Sequence, residues 1–169
     1  MKSEELRARQ APLKEQYRQS PATALVTLTA EGRLGEGVSC SIETGRALVD
    51  AGLHAATGGS GMQVCSGDML LQALVACAGV TLSAVATSLE IPLDDATLRA
   101  EGDLDFRGTL GVSKEAPVGF QAIRLYVELD TTAPPEKVAK LLELTQRYCV
   151  VLQTLRSAVE VTTARVSKP

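Results

Sequence analysis

The period of the apolar positions changes several times along the chain, and each change marks an element. From Ala22 to Ala30 the run ATALVTLTA is rich in β-branched residues and bounded by Pro21 and Gly32, which predicts a strand. Two more strands are predicted in GEGVSCSIETG (35–45) and RALVDAG (46–52), separated by a turn at Thr44-Gly45, so three short antiparallel strands open the domain. The glycine-rich stretch Ala55–Gly67 breaks any regular pattern and reads as a loop. Ser66 then offers an N-cap and Asp68 a negative charge in the first helical turn. From Met69 to Leu89 no side chain is charged, and the run predicts a helix. Two strand-like runs follow, Ala96–Leu110 and Gly119–Asp130. The second alternates through Ile123, Leu125, Val127 and Leu129, and the two are expected to pair as a hairpin. Thr131 or Thr132, ahead of Pro134-Pro135-Glu136, predicts a hydroxyl-capped helix start. That helix is expected to run to about Ser157, with Leu141, Leu144, Tyr148, Val151, Leu152 and Leu155 on its apolar face. Val159–Val166 closes the chain as a strand. Residues 3–19 form a weakly amphipathic helix interrupted by Pro12, so 1–21 read as an appendage to a domain spanning 22–169. The element order is that of an α+β fold with two long central helices.

The Met69–Leu89 helix is long enough for a membrane span. Gln72, Thr81, Ser83, Thr87 and Ser88 interrupt it, and it lacks flanking basic or aromatic anchors, so the expectation is a core helix and no membrane. A helix apolar on all sides must be covered on all sides, which a chain of 169 residues achieves most readily in an oligomer that wraps it.

Composition narrows the function. With 17 Lys+Arg against 20 Asp+Glu, 3% aromatic residues and no Trp, neither a phosphate-neutralising field nor a stacking platform is present, and nucleic acid is not an expected partner. The single histidine, His54, and the four cysteines, Cys40, Cys65, Cys77 and Cys149, do not have zinc-ligand spacing, so no metal is expected. The charged N-terminal stretch lacks the apolar core of a secretory signal, which predicts a cytoplasmic protein whose thiols stay reduced. Cys77 and Cys149 each fall within a predicted helix. Taken singly, either reads as buried filler, because a free cysteine behaves as a small hydrophobe. Cys65 reads as an exposed loop thiol, Cys40 as a strand residue and His54 as a polar loop residue. Glu101, Asp103 and Asp105 read as one solvated strand face.

The order of Gly-rich loop, helix start, L-L-x-A-L-x-A-C-A-G (Leu70 to Gly79), strand hairpin and a late helix carrying Tyr148-Cys149 resembles the OsmC/Ohr family of thiol-dependent hydroperoxide reductases. The resemblance spans roughly residues 22–166. The segment Gln146 to Val151 is most similar to the branch whose substrate is unassigned. The resemblance implies an OsmC-like fold, an intertwined homodimer with active sites near the subunit interface, and no cofactor. It also implies Cys77 as peroxidatic cysteine, Cys149 as resolving cysteine, an organic hydroperoxide as substrate and a dihydrolipoyl-type dithiol as reductant. A thiol buried among alanines needs help to ionise, and Gly32-Arg33-Leu34-Gly35, similar to the family's G-R-x-G segment, makes Arg33 the expected cation. The chain departs from the pattern twice. Gly67 stands where many peroxide-reducing members carry a glutamate, with Asp68 one position late. Val150 replaces the proline after the second cysteine, so the helix is expected to continue straight through Cys149. The alternative is a catalytically silent OsmC-like dimer that binds a ligand or senses redox state. Accessibility and acidity of Cys77 separate the two.

Overall fold

The computed structural model describes residues 2–5, 8, 11, 19, 32–34, 39–43, 48–111 and 113–166, with the backbone alone at 32–34, 39–43 and 48. In chain order the described elements are β1 (Gly32–Leu34), β2 (Ser39–Glu43), β3 (Leu48–Gly52), a 3₁₀ turn at Ala55–Thr57, β4 (Val64–Cys65) and α1 (Ser66–Leu89). They continue with β5 (Asp95–Asp103), α2 (Phe106–Thr109), β6 (Ala122–Asp130), α3 (Pro135–Tyr148) and α4 (Val150–Arg156). The predicted strand Ala22–Ala30 and most of the predicted appendage lie outside the described residues.

β1, β2 and β3 pair antiparallel, as the two predicted strands and the turn between them require. Inside the expected loop, Val64 and Cys65 pair parallel with Ala51 and Gly52 as β4. This pairing corrects the expected start of the long helix. Cys65, held extended by the ladder, is the N-cap and makes no side-chain cap bond, while Ser66 is already helical and Asp68 lies in the first turn.

α1 is long and apolar enough to cross a membrane by length and composition. Here one stripe of it, Leu74, Ala78, Leu82 and Ala86, is buried at i, i+4 spacing against β5, α3 and α4. The expectation of burial on every side is not met within one chain: Val80 is 74% exposed, and Ala73 and Ala76 face outward with it. The helix ends at Glu90, which takes the left-handed conformation (φ 57°) and donates its N–H to Ala86 and Thr87, while Ile91 N–H donates to Ala86 O at 2.9 Å.

β5 and β6 form the expected hairpin, in register from Asp95↔Asp130 to Asp103↔Ala122. Leu98, Ala100, Ile123, Leu125, Val127 and Leu129 face the core. On the other face Arg124 holds Asp103 (Nη2 to Oδ1, 2.7 Å), and Arg99 lies 4.3 Å over the Tyr126 ring. The strand stops at Asp103, short of the predicted Leu110, because Asp105 turns its carboxylate onto the Arg107 N–H at 3.0 Å and caps α2. Asp105 therefore leaves the face shared by Glu101 and Asp103. Beyond α2 the chain returns so that Phe120 lies close against Gly102, where an added Cβ would sit 2.4 Å from the ring.

The hydroxyl cap predicted for α3 is also corrected. Pro134 is the N-cap and makes no side-chain bond. Thr131 instead donates to Pro92 O at 2.5 Å and accepts from Ala133 N–H at 3.1 Å, tying the connection to the segment after α1. The single helix expected to run to about Ser157 is two helices, broken at Cys149, whose ψ of 106° is extended. Tyr148, placed on the buried face by periodicity, is 58% exposed. Val159–Val166 forms no strand; it is exposed and irregular, because no described strand lies alongside to accept its ladder bonds.

Leu141, fully buried against Leu82, Ala86 and Ile91, anchors α3 to α1. Leu141→Ala should cost about 2–5 kcal/mol, read as a lower urea midpoint at unchanged m-value.

Candidate active site

The site is built where α1 crosses the α3–α4 break. Cys77 lies near the middle of α1, next to the buried Ala78. It packs on a cluster of Leu74, Ala78 and Cys149, with Leu98, Ala100, Ile123, Leu125, Val151 and Leu152 around it. Cys149 itself is 0% exposed. Its N–H still donates to Thr145 O at 3.0 Å, and its carbonyl accepts from Gln153 N–H at 2.9 Å. Because its ψ is extended, the N–H groups of Val150, Val151 and Leu152 lose the acceptors a continuous helix would give them. The carbonyl freed at Gln146 is taken by the Gln153 side-chain amide at 2.8 Å, and Arg156 braces the same residue through Gln146 Oε1 at 3.3 Å.

The freed N–H groups act on sulfur. Burial pushes the Cys77 thiol up. The Val151 N–H, the Cys149 side chain, the Val150 N–H and the Thr81 hydroxyl outweigh it, and Cys77 ionises below the ordinary thiol value. Thr81 has a single hydroxyl proton, which turns either to this sulfur or to the Cys77 carbonyl at 2.7 Å. Cys149 moves the other way. Burial pushes it up, and hydrogen bonding to Cys77 and the Cys77 charge add to this. The N–H groups of Leu152 and Val151 offset part of the rise. The result is an acidic thiol hydrogen-bonded to a reluctant one, with Cys149 S–H as donor to the Cys77 thiolate.

Sequence reasoning placed Cys77 and Cys149 in two helices, and the structure brings them together. It expected a cation to ionise Cys77, whereas among the described residues the helping groups are two backbone N–H groups, the Cys149 thiol and one hydroxyl. Arg33 lies in β1 opposite Ser41, and its side chain lies outside the described residues. Cys40 pairs with Ala51 in the β2–β3 ladder. Cys65 is half-buried and not fully exposed. It borders a cavity of about 360 Å³ with His54, Asp68, Phe106 and Phe120. His54 is structural: its Nδ1 accepts the Ala56 N–H at 3.0 Å to cap the 3₁₀ turn, and its ring stacks on Phe106 at 4.9 Å. The residues missed from sequence were Val150 and Val151, whose contribution is made by backbone and leaves no side-chain signal. Thr81 was visible as a hydroxyl one turn after Cys77.

The family model described as OsmC-like protein matches residues 58–164, and the chain belongs to that family. No curated protein matches the sequence. Among solved structures, the chain is similar to an OsmC-like protein from Mycoplasma pneumoniae at a TM-score of 0.66 and 14% identity, over 78% of this chain and 88% of the other. An organic hydroperoxide resistance protein from Elizabethkingia anophelis aligns at 0.63 and 17%, over 80% and 92%. The OsmC organic hydroperoxide resistance protein from Legionella pneumophila aligns at 0.61 and 20%, over 78% and 90%. These likenesses establish the OsmC-like fold.

Val150 is the first residue of α4, a position where proline is tolerated, and the residue before it is already extended, as proline demands. Val150→Pro therefore removes one N–H donor from Cys77 while leaving the fold intact. Iodoacetamide alkylation of Cys77 at pH 7, followed by mass spectrometry, should slow by roughly threefold or more, and its pH midpoint should move up.

Proposed function

We propose that this protein reduces organic hydroperoxides, with Cys77 as the peroxidatic and Cys149 as the resolving cysteine. The observation that carries the reading is the pair of contacting thiols whose acidities are displaced in opposite directions, an arrangement that assigns nucleophile and partner. Membership of the OsmC-like family and likeness to proteins described as organic hydroperoxide resistance proteins support it.

The chemistry balances without a cofactor. The Cys77 thiolate attacks the outer peroxide oxygen, the O–O bond breaks, and the leaving alkoxide takes a proton to become an alcohol. Cys77 is left as the sulfenic acid. The Cys149 thiol then attacks that sulfur, releasing water and forming the Cys77–Cys149 disulfide. A dithiol of dihydrolipoyl type reduces the disulfide by two exchanges and leaves as a cyclic disulfide. Cys77, the more acidic thiol, is the better leaving group in that step. The reading places the enzyme in the cytoplasm, where such dithiols stay reduced. It also makes the working unit a homodimer in which the outward apolar face of α1, including Leu70 and Val80, packs against a second copy.

Cumene hydroperoxide added to the reduced protein should consume two thiols and yield a Cys77–Cys149 disulfide by mass spectrometry. Cys77→Ser should reduce the reaction to background, and Cys149→Ser should leave a sulfenic acid that dimedone traps. Only the thiolate reacts, so the rate should rise with pH through the depressed Cys77 value and level off below the pH at which an ordinary thiol is half ionised. Disulfide formation without turnover on dihydrolipoamide would indicate a sensor, and slow oxidation equal in Cys77→Ser would overturn the proposal. Sedimentation at low micromolar concentration should give about twice the chain mass, and a monomer would remove the dimer.

A further inference from the structure

A cavity of about 400 Å³ lies between α1, β6, α3 and α4, within the size range of small-molecule sites. Its wall is largely aliphatic, including Leu125, Leu142 and Leu152, and Cys149 forms part of it while Cys77 does not. The buried polar side chain in the wall, Thr145, donates its hydroxyl to Leu141 O at 2.8 Å and so is not a free donor. Arg156, exposed, lines the same cavity. Its guanidinium has a neutral partner, Gln146 Oε1 at 3.3 Å, and among the described residues no carboxylate pairs with it. A shallow groove shares Leu142, Gln146 and Arg156 with the cavity and adds Arg147 and Glu143. Glu143 is held by Lys140 at 2.9 Å, and Arg147 lies over the Tyr148 ring at 5.6 Å, so the local charge is positive.

We propose that this cavity binds a free aliphatic carboxylate, with its chain against Leu125, Leu142 and Leu152 and its head group on Arg156. An aliphatic wall excludes water and favours a hydrocarbon chain. The guanidinium fork matches a carboxylate in two parallel hydrogen bonds, which a neutral alcohol cannot supply. The wall contains Cys149 and not Cys77, so a bound chain adjoins the thiol pair from the Cys149 side. The inference does not depend on peroxide turnover.

The test is a titration of the reduced full-length protein with decanoate and with decanol, followed by methyl NMR. Saturable shifts of the Leu125, Leu142 and Leu152 methyls are expected with both, decanoate binding about tenfold more tightly. Arg156→Gln, an exposed change at the end of α4, should bring decanoate to the level of decanol and leave decanol unchanged. Raising the salt to 1 M should weaken decanoate alone. Absence of saturable shifts at these methyls, equal binding of acid and alcohol, or indifference to Arg156→Gln would overturn the proposal. So would binding to phosphatidylglycerol vesicles with none to free decanoate, which would make the ligand a membrane lipid.

Discussion

A helix that stops being helical for one residue leaves backbone donors and acceptors that must be satisfied elsewhere, and the site follows from how that is done at Cys149. One extended residue separates α3 from α4 and releases N–H groups on one side and carbonyls on the other. The Gln146 carbonyl is closed by the Gln153 amide. Val150 and Val151 direct their N–H groups at the Cys77 sulfur. An anion there is stabilised by fixed dipoles in a partly buried setting, where each donor counts for more than it would in water. The family's proline is not needed for the break. Adjacent β-branched residues at 150 and 151 weaken helix continuation, and the bent path lets Cys149, Val151 and Leu152 enter the same cluster as Leu74 and Ala78.

α1 is what makes that break meet Cys77. Its buried stripe serves two clusters, Leu74 and Ala78 at the site and Leu82 and Ala86 with Leu141 and Ile91 beyond it. Leu98 of β5 packs on both. The position of Cys77 is thus set by the same packing that holds the domain together, and a nucleophile on a packed helix is held more rigidly than one on a loop. The charged outer face of β5–β6 has a different role. Its ion pairs are exposed and contribute little energy, while the alternation of Leu98 and Ala100 with Arg99 and Glu101 specifies the register, since a one-residue slip would turn the aliphatic row to solvent.

Much of the fold was legible in the sequence because its periods are strong. The uncharged run gave α1 its end at Leu89, the alternation from Ile123 to Leu129 marked β6, and Pro135-Glu136 marked the first turn of α3. Predictions failed where a local choice depended on a distant partner. Cys65, not Ser66, precedes α1 because β3 holds it extended. β5 stops early because Asp105 finds the Arg107 N–H. Val159–Val166 has the composition of a strand, but among the described residues none supplies its ladder.

The candidate site divides in the same way. Sequence by itself determined the family resemblance, the two cysteines in separate helical segments and the hydroxyl of Thr81 one turn from Cys77, since these depend on residue type and spacing. Tertiary structure decided that the two thiols touch, that their acidities diverge and that backbone amides of Val150 and Val151 favour ionisation of Cys77. Those outcomes depend on a ψ angle at Cys149 and on how α1 packs against the α3–α4 break. Neither has a side-chain signature, because every residue but proline carries the same N–H.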